Sequence, residues 1–281
     1  MNKESQSFVA LVVFYNPNIE SVNRAYKLTN YFSKVYIFDN SEQKQIYVDR
    51  LKEYPNIIYM NENENKGLAY PYNKVMDIET KRDTDYLCIL DQDSIWDSSV
   101  FNTMMNSINN NKAQNENVAI YAPYISIWDK PIDNSIDKYV EWVINSGCFL
   151  NLKILQEYKL RYDENYFLDR LDKDFCKQVN HNGLKILKIG GTVLYQQLGE
   201  KKDDFFVHAP IRTYYMVRNR LYYNKKYYKL PIRQLLNILL TVRQLFYIVK
   251  DGIQVREHIA YAERGIKDYL NGRMGKIENK T

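Results

Sequence analysis

Tyr86-Leu87-Cys88-Ile89-Leu90-Asp91-Gln92-Asp93-Ser94 is an apolar run that ends in two carboxylates spaced i, i+2. Five apolar residues without a polar interruption predict a strand buried on both faces. Its C-terminal end is then the edge of an α/β sheet at which ligands sit. While the backbone stays extended, side chains two apart share a face, so Asp91 and Asp93 leave the strand together. A sparse oxygen pair of this kind suits a hard divalent cation that keeps its own waters. Spacing alone is a weak signal, because Asp83-Thr84-Asp85 and Asp172-Lys173-Asp174 repeat it in the same chain, and a solvated turn is the plain alternative. The surroundings of the run have to decide.

Three upstream segments have the same form. The run at 8–15 (FVALVVFY) ends at Asn16-Pro17-Asn18, Val35-Tyr36-Ile37-Phe38 ends at Asp39-Asn40-Ser41, and Ile57-Ile58-Tyr59-Met60 ends at Asn61 and a polar loop to Lys66. Helical patterns lie between them, from Glu20 onward, over 43–53 and over 67–78. Strands alternating with helices at this spacing predict an α/β fold with a mainly parallel sheet and right-handed crossovers. Four strand ends, each carrying polar side chains, then converge on one edge. No Gly-x-Gly-x-x-Gly follows the first strand and no Gly-Lys-Ser/Thr occurs, so the two commonest nucleotide cradles are missing.

Downstream, 102–117 is Asn-rich without strong apolar periodicity and predicts a surface helix with a loop. A strand is expected at 118–122, an irregular excursion over 125–137, and a return to the core over 143–150, where Gly147 permits close backbone approach. A short helix at 154–158 precedes an acidic loop that enters a helix over 162–176. There Asp169 and Asp172 are three apart, one face of a first helical turn, where the helix dipole accommodates anions. Two short strands are expected at 185–189 and 192–195 around Gly190-Gly191.

Beyond Pro210 the composition turns helical, basic and aromatic. Over 232–249, Leu235, Ile238, Leu239, Val242, Leu245, Phe246 and Val249 follow helical spacing, opposite Arg233, Asn237, Thr241 and Gln244. The pattern is too interrupted to span a bilayer, and predicts a helix lying at a membrane interface or packed on the catalytic domain or a second subunit. Residues 271–281 read as a frayed polar tail.

The net charge of +5 is concentrated after residue 200, which favours an anionic partner there. Nucleic acid is not expected, since no basic helix, zinc finger or RNA-binding signature accompanies the charge. An anionic membrane surface fits better. The three cysteines, Cys88, Cys148 and Cys176, lie far apart in apolar surroundings and read as reduced core thiols of a cytosolic protein. No basic segment followed by an apolar one opens the chain, so secretion is not expected. The 26 tyrosines suit sugar faces or a membrane interface, though a compositional bias accounts for most of them.

With these pieces in order, the chain resembles the family 2 glycosyltransferases of the nucleotide-diphospho-sugar type, and among them the bacterial rhamnosyltransferases of polysaccharide assembly. The resemblance covers roughly residues 8–225. It rests on Tyr15-Asn16-Pro17, Asp39-Asn40-Ser41, Asn65-Lys66-Gly67-Leu68-Ala69 with Asn73, Asp91-Gln92-Asp93-Ser94, Asn145-Ser146-Gly147, the acidic run from Asp169 to Cys176, and His208-Ala209-Pro210 with Tyr214-Tyr215-Met216-Val217-Arg218-Asn219-Arg220. It implies a GT-A type α/β catalytic domain over 1–225, helices flanking its sheet, and an amphipathic helical extension with a polar tail over 226–281.

The resemblance also implies roles. Tyr15 and Asn16 border the nucleobase, and Asp39 accepts from its ring N–H or from the ribose. Asn65, Gly67 and Asn73 shape the loop and helix wall beside the nucleotide, and Gln92 counts among its contacts. Asp91 approaches the ribose, while Asp93 holds Mg²⁺ or Mn²⁺ against the diphosphate and so offsets charge on the leaving group. Asp172 is the implied general base, with Asp169 and Asp174 as competitors. Arg218 and Arg220 neutralise the diphosphate or engage an anionic lipid-linked acceptor, and His208 has a family-like His-x-Pro setting. One position departs from the pattern: relatives often carry a metal-ligating His before the Leu-Gly that corresponds to Leu198-Gly199, and this chain has Gln196-Gln197. Gln196 is a weaker ligand for Mn²⁺ but acceptable to Mg²⁺.

The expected activity is inverting transfer of L-rhamnose from dTDP-L-rhamnose to a hydroxyl of a lipid-linked saccharide, for capsule-type surface polysaccharide. The expected place is the cytoplasmic face of the membrane, with peripheral contact. The alternatives are the same fold using another nucleotide sugar such as a UDP-hexose, and a non-catalytic scaffold of a polysaccharide assembly complex. A nucleotidyltransferase is disfavoured, because its Gly-rich, Arg-containing loop is absent after the first strand.

Overall fold

The computed structural model describes residues 6–112, 117–127, 132–196, 200–202 and 205–278. Compactness groups them into two units, one of residues 1–162 and 175–197, the other of 163–174 and 198–281, rather than dividing the chain at 225. The expected Gln197 and Leu198-Gly199 lie outside the described residues.

The first unit opens as alternation predicts: β1 (Phe8–Phe14), α1 (Ile19–Lys27), β2 (Lys34–Asp39), β3 (Ile57–Asn61), α2 (Ala69–Thr80) and β4 (Tyr86–Asp91). The expected helix at 43–53 is a 3₁₀ helix over Ile46–Glu53. Then come β5 (Ile95–Trp96), α3 (Ser98–Lys112), β6 (Val118–Ile127), β7 (Lys138–Tyr139), β8 (Cys148–Asn151), α4 (Leu152–Glu157), α5 (Leu171–His181) and β9 (Lys185–Gln196). The helix α5 begins in the second unit and continues in the first.

The sheet runs β3-β2-β1-β4-β8-β6-β9-β5, with β7 paired to β9. From β3 to β4 every pair is parallel, as expected. Beyond β4 the sheet is mixed: β8 is antiparallel to both β4 and β6, and β6 is parallel to β9. Register levels the parallel ends, pairing Asn61 with Asp39, Asp39 with Phe14, and Val13 with Asp91. At the turn into β8, Gly147 adopts φ +79° and its N–H donates to Ile89 O at 2.7 Å. A Cβ there would stand 2.7 Å from Pro123 Cγ, so glycine is required by both conformation and space.

Three details differ from the sequence expectation. Val100, Phe101, Met104 and Ile108 of α3 are buried in the main core, so this helix is a core element with an Asn-rich outer side. Strand β6 continues through Ile127 into the stretch read as irregular. The two short strands at 185–195 are one strand, β9, whose register against β6 shifts between Ala122 and Tyr124. The three cysteines are free and buried, as expected, and burial pushes the Cys88 thiol up.

The second unit contains the two-stranded β10 (Glu200–Lys202) and β11 (Phe205–Val207), then α6 (Pro210–Tyr227), α7 (Ile232–Asp251) and α8 (Val255–Leu270). Tyrosines here serve packing and hydrogen bonding: Tyr214 and Tyr215 meet edge to face at 5.0 Å, Tyr214 OH donates to Asp268, and Tyr215 OH accepts from Ile277 N–H. Ile277 is buried against them, so the tail is packed as far as this residue rather than frayed. The helix α8 is an addition to the expected extension. The polar side of α7 faces α6, through Asn237 to Asn224 and Gln244 to Arg220, and its apolar side is exposed. By length and composition alone, 232–250 suffices to cross a membrane, which corrects the view that it is too interrupted.

Gly265 sets how closely α8 approaches α6, because a Cβ there would lie 2.7 Å from the backbone oxygen of Tyr214. Alanine gains about 1 kcal/mol of helix propensity at such a site, whereas overpacking against a backbone atom costs about 1–3 kcal/mol. Gly265→Ala is therefore expected to lower the denaturant midpoint of the full chain, and an unchanged midpoint would show that the two helices can separate.

Candidate active site

The level ends of β1, β2 and β4 gather the predicted nucleotide residues of the first unit. Tyr15, half exposed just past β1, exchanges two hydrogen bonds with Gln92: its N–H donates to Oε1 at 2.8 Å and its carbonyl accepts from Nε2 at 3.2 Å. Arg24 Nε donates to Gln92 O at 3.2 Å. The Gln92 amide is thus engaged by the backbone, and Gln92 positions Tyr15 rather than presenting a free amide to a ligand. Asn16 takes a left-handed conformation, φ +47°, and its N–H donates to Ser41 Oγ at 2.7 Å.

Asp39 is fully buried. One carboxylate oxygen accepts from Ser41 N–H and Oγ–H, the other from Tyr59 OH at 2.7 Å. Burial and this carboxylate push the Tyr59 phenol well above its ordinary range. Asp39 acts on this edge by holding Ser41, which in turn holds Asn16. Asn40 does the same for the loop at 65–67: its Nδ2 donates to Gly67 O at 2.8 Å and its Oδ1 accepts from Lys66 N–H at 3.1 Å. Asn65 Oδ1 accepts from Gly67 N–H at 2.9 Å, closing a turn in which Gly67 has φ +74°. Asn73 is buried and exchanges two bonds with the Tyr162 backbone, 2.9 and 3.0 Å long, so it staples α2 to that segment instead of walling a nucleotide. Asn40 and Ser41 lay inside a quoted motif, but only their partners reveal their task.

Asp91 N–H donates to Ser146 Oγ, which shares a 2.6 Å hydrogen bond with Ser94 Oγ. Its Oδ2 accepts from Gln196 Nε2 at 3.0 Å. Gln196 is buried, and its Oε1 has no hydrogen-bond partner among the described residues. A buried acceptor left without a donor costs about 1–3 kcal/mol. Asp93 is held above the usual carboxylate range by burial, against its own backbone N–H and the charge of Arg24. Among the described residues no three of His, Cys, Asp and Glu cluster as metal ligands. The available donors, carboxylate oxygens and one orphaned amide oxygen, fit a hard divalent ion completed by water and ligand oxygens.

The acidic segment belongs to the second unit, and hydrogen bonding there separates its three aspartates. Asp169 is engaged by Arg212, 2.9 Å from Nη2, and Arg212 Nη1 also meets His208 Nδ1 at 3.3 Å. Asp174 is buried with Tyr166 OH and Lys226 Nζ on its oxygens. Asp172 accepts from the Lys173 backbone N–H at 2.8 Å. Burial raises its carboxyl pKa, Asp169 adds to the effect, and the Lys173 N–H with the charges of Lys173 and Arg170 opposes it. Asp169 is not on the helix: Asp169 and Arg170 form a left-handed pair, φ +57° and +71°, immediately before α5. Such backbone strain in non-glycine residues collects at functional sites.

Arg218 does not reach for an anion. It is fully buried, donates to Tyr214 OH, Gly275 O and Asn219 Oδ1 at 2.8–3.1 Å, and stacks on the rings of Tyr214 and Tyr215. Every guanidinium nitrogen has a core partner, which corrects the expectation that it binds diphosphate.

A half-parallel sheet whose ends carry a carboxylate pair, continued by an antiparallel strand and a strand bearing Gln196, is the arrangement of a GT-A type glycosyltransferase. Comparison with known proteins gives the same class. The family described as glycosyl transferase family 2 matches residues 14–171, more than half of the chain. The chain belongs to that family and is a glycosyltransferase. It is 22% identical to the dTDP-rhamnosyl transferase RfbF of Shigella flexneri over 95% of this chain and 98% of that one. Among solved structures it resembles S. aureus TarS 1–349 in complex with UDP-GlcNAc, at TM-score 0.56 and 12% identity over 95% of this chain and 81% of that one. It also resembles GalNAc-T7 with UDP, GalNAc and Mn²⁺, at TM-score 0.61 and 11% identity over 96% and 57%.

Replacing Arg218 by Ala removes hydrogen bonds from a buried charge to neutral partners, a loss on the order of 3 kcal/mol. The expected result is a clear drop in unfolding midpoint with donor KM unchanged in the folded fraction. A rise in donor KM without a stability loss would restore the diphosphate role.

Proposed function

We propose that the protein transfers L-rhamnose from dTDP-L-rhamnose to a hydroxyl of a lipid-linked saccharide, with inversion at the anomeric carbon, in capsule-type polysaccharide assembly at the cytoplasmic face of the membrane. The observation that carries the donor site is the orphaned Gln196 Oε1 beside Asp91 at the levelled strand ends. The rhamnosyl choice is supported by the RfbF relative, which spans nearly the whole chain. The solved relatives with UDP ligands keep a UDP-hexose donor as the rival.

In this mechanism Tyr15 and Asn16 border the base, held by Gln92 and by Ser41 with Asp39. The loop of Asn65 and Gly67, clamped by Asn40, flanks the nucleotide. Asp91 meets the ribose, and Asp93 with Gln196 would hold Mg²⁺ or Mn²⁺. When bound, that ion supplies positive charge against the diphosphate oxygens. Asp172 takes the proton of the acceptor hydroxyl as its oxygen attacks the anomeric carbon from the face opposite the diphosphate. The bond from that carbon to the diphosphate oxygen breaks, and dTDP leaves with the electron pair. Burial suits Asp172 to this task, since a carboxylate with raised pKa is the stronger base.

Membrane contact falls to α7, where Leu239 (56% exposed) and Phe246 (62% exposed) lie on an apolar side flanked by Arg243 and Lys250. Leu239→Gln with Phe246→Gln is expected to abolish co-sedimentation with anionic vesicles, and undiminished sedimentation would reject the contact.

Donor hydrolysis with dTDP-L-rhamnose, UDP-glucose and UDP-galactose tests the donor: turnover confined to a UDP sugar would overturn the rhamnosyl reading. Chelation is expected to stop transfer, and Mg²⁺ to restore it at least as well as Mn²⁺, because all the protein donors are oxygens. Asp172→Asn should cost about 10²–10⁴ in kcat with donor binding retained.

The raised pKa of Asp172 also sets two pH effects. Transfer declines as pH falls through the raised value, because the base is then protonated. Stability runs the other way: the folded state binds this proton more tightly than the unfolded chain, so its contribution is present at low pH and lost as pH rises from the ordinary carboxylate range through the raised value. Asp172→Asn should therefore leave the unfolding midpoint at pH 7 equal or higher, and a lower midpoint would mean that the carboxylate is structural.

A further inference from the structure

A cleft of about 470 Å³ lies beside β6 in the first unit, lined by Pro123, Ile125 and Ile127 of that strand and by residues 138–144. That is the size of a pocket for a small organic ligand. Two large rings in its lining stay open to solvent, Tyr139 at 48% exposed and Trp142 at 47%. Their backbone is nonetheless pinned. Tyr139 belongs to β7, which pairs with β9, Val140 N–H donates to Ile186 O at 3.0 Å, and Asn180 Nδ2 donates to Glu141 O at 2.6 Å. Lys185 Nζ stands over the Tyr139 ring, 4.8 Å from its centre, and Val143, next to Trp142, is buried. Rings set on a fixed backbone at the wall of a concavity are pre-organised to receive a flat apolar surface.

The charged residues of the lining are of both signs, Lys138 and Lys188 with Glu141. Rings that stack on C–H groups, beside donors and acceptors for hydroxyls, match a pyranose with its apolar face and polar rim. A hydrocarbon tail would leave the charges unmatched, and a phosphate chain would meet Glu141. The cleft also adjoins the Asp91 edge. Ile127 pairs with Gln196, whose amide bonds Asp91, and Ile144 is two residues before Ser146, whose Oγ accepts from Asp91 N–H. Tyr15, Asn16 and Asp39 lie on the far side of Asp91: β4 and β8 separate β1 from β6, roughly 14 Å at the usual strand spacing.

We propose that this cleft binds the sugar units of the acceptor saccharide, with Tyr139 and Trp142 stacking on their rings. This rests on the reading of the Asp91 edge as the donor site. Two observations favour the acceptor over the donor as the occupant. A base at Tyr15 and a ribose at Asp91 leave the β6 side of the edge open. From Pro123 to Ile127 the cleft follows β6 for about 13 Å, which is longer than the single sugar that a donor carries and fits a chain of them. Tyr139 and Trp142 are then specificity residues for the acceptor, acting through stacking and not through the transferred group.

The test uses saturation-transfer NMR on the full-length protein and its Trp142→Ala variant. The probes are the methyl glycosides of rhamnose, glucose, galactose and N-acetylglucosamine, the disaccharides built from them, and dTDP with Mg²⁺. At least one disaccharide should bind the parent more tightly than its component monosaccharides and weaken about tenfold in Trp142→Ala. Trp142→Phe should keep most of that affinity, and dTDP should bind parent and variants alike. A parent that binds none of the saccharides, or a Trp142→Ala variant that binds them equally well, would overturn the site. Weakening of dTDP along with the saccharides would assign the cleft to the donor, and monosaccharides binding as tightly as disaccharides would reduce it to a single-sugar pocket; either result overturns the acceptor reading. Should Trp142→Ala fail to fold, Tyr139→Ala carries the comparison. No sugar donor enters these measurements. If a disaccharide binds as described and rhamnose is not transferred, the donor assignment fails alone. If rhamnose is transferred and Trp142→Ala binds saccharides like the parent, only this cleft fails.

Discussion

The parallel register of β1 with β2 and β4 is the constraint on which the proposed donor edge depends. It brings Asp39 level with Phe14, and Asp91 level with Val13, on either side of one central strand. Slipping either neighbour by one residue would turn its carboxylate to the opposite face of the sheet. The loops beyond the edge inherit their positions from that alignment. Ser41 reaches Asn16 because β2 ends beside β1, and Gln92 reaches Tyr15 because β4 does.

Much of the polar chemistry at this edge is therefore scaffolding, in a definite order. Asp39 holds Ser41, Ser41 holds Asn16, Asn40 holds the 65–67 loop, and Gln92 holds Tyr15. The groups left facing a ligand are few, which is the pre-organisation a transferase needs if binding is to serve orientation. Asp93 and the Gln196 oxygen stand out because burial disfavours their state and the described protein offers little relief.

The alternation of strands and helices up to Leu90, the polar strand ends and the acidic segment could be read from residue order, since each is a local pattern. The mixed half of the sheet could not, because an antiparallel insertion such as β8 leaves no periodicity distinct from that of a parallel core strand. In α3 the buried stripe of Val100, Phe101, Met104 and Ile108 was hidden by the asparagines between and after it. Asn73, Gln92 and Arg218 were legible as unusual residues but not by role. Their partners are backbone groups of Tyr162, Tyr15 and Gly275, 89, 77 and 57 positions away, and no residue pattern marks a bond to a distant carbonyl. Among Asp169, Asp172 and Asp174, only their partners set Asp172 apart.

The bond from Arg218 to Gly275 O also bears on how the protein is made. A guanidinium in the middle of α6 waits for a carbonyl 57 positions later, and Tyr215 waits for the N–H of Ile277, 62 positions later. Neither partner exists until α7 and α8 have both been made. The β1–β4 layer can settle before them, but α6 is made with a cation and a phenol still unmatched and reaches its final packing only when residues 275–277 have followed it. The segment at 163–174 belongs to that late unit, so Asp172, made after the strand-end residues from Tyr15 to Asp93, also waits for the later helices before it is set in place.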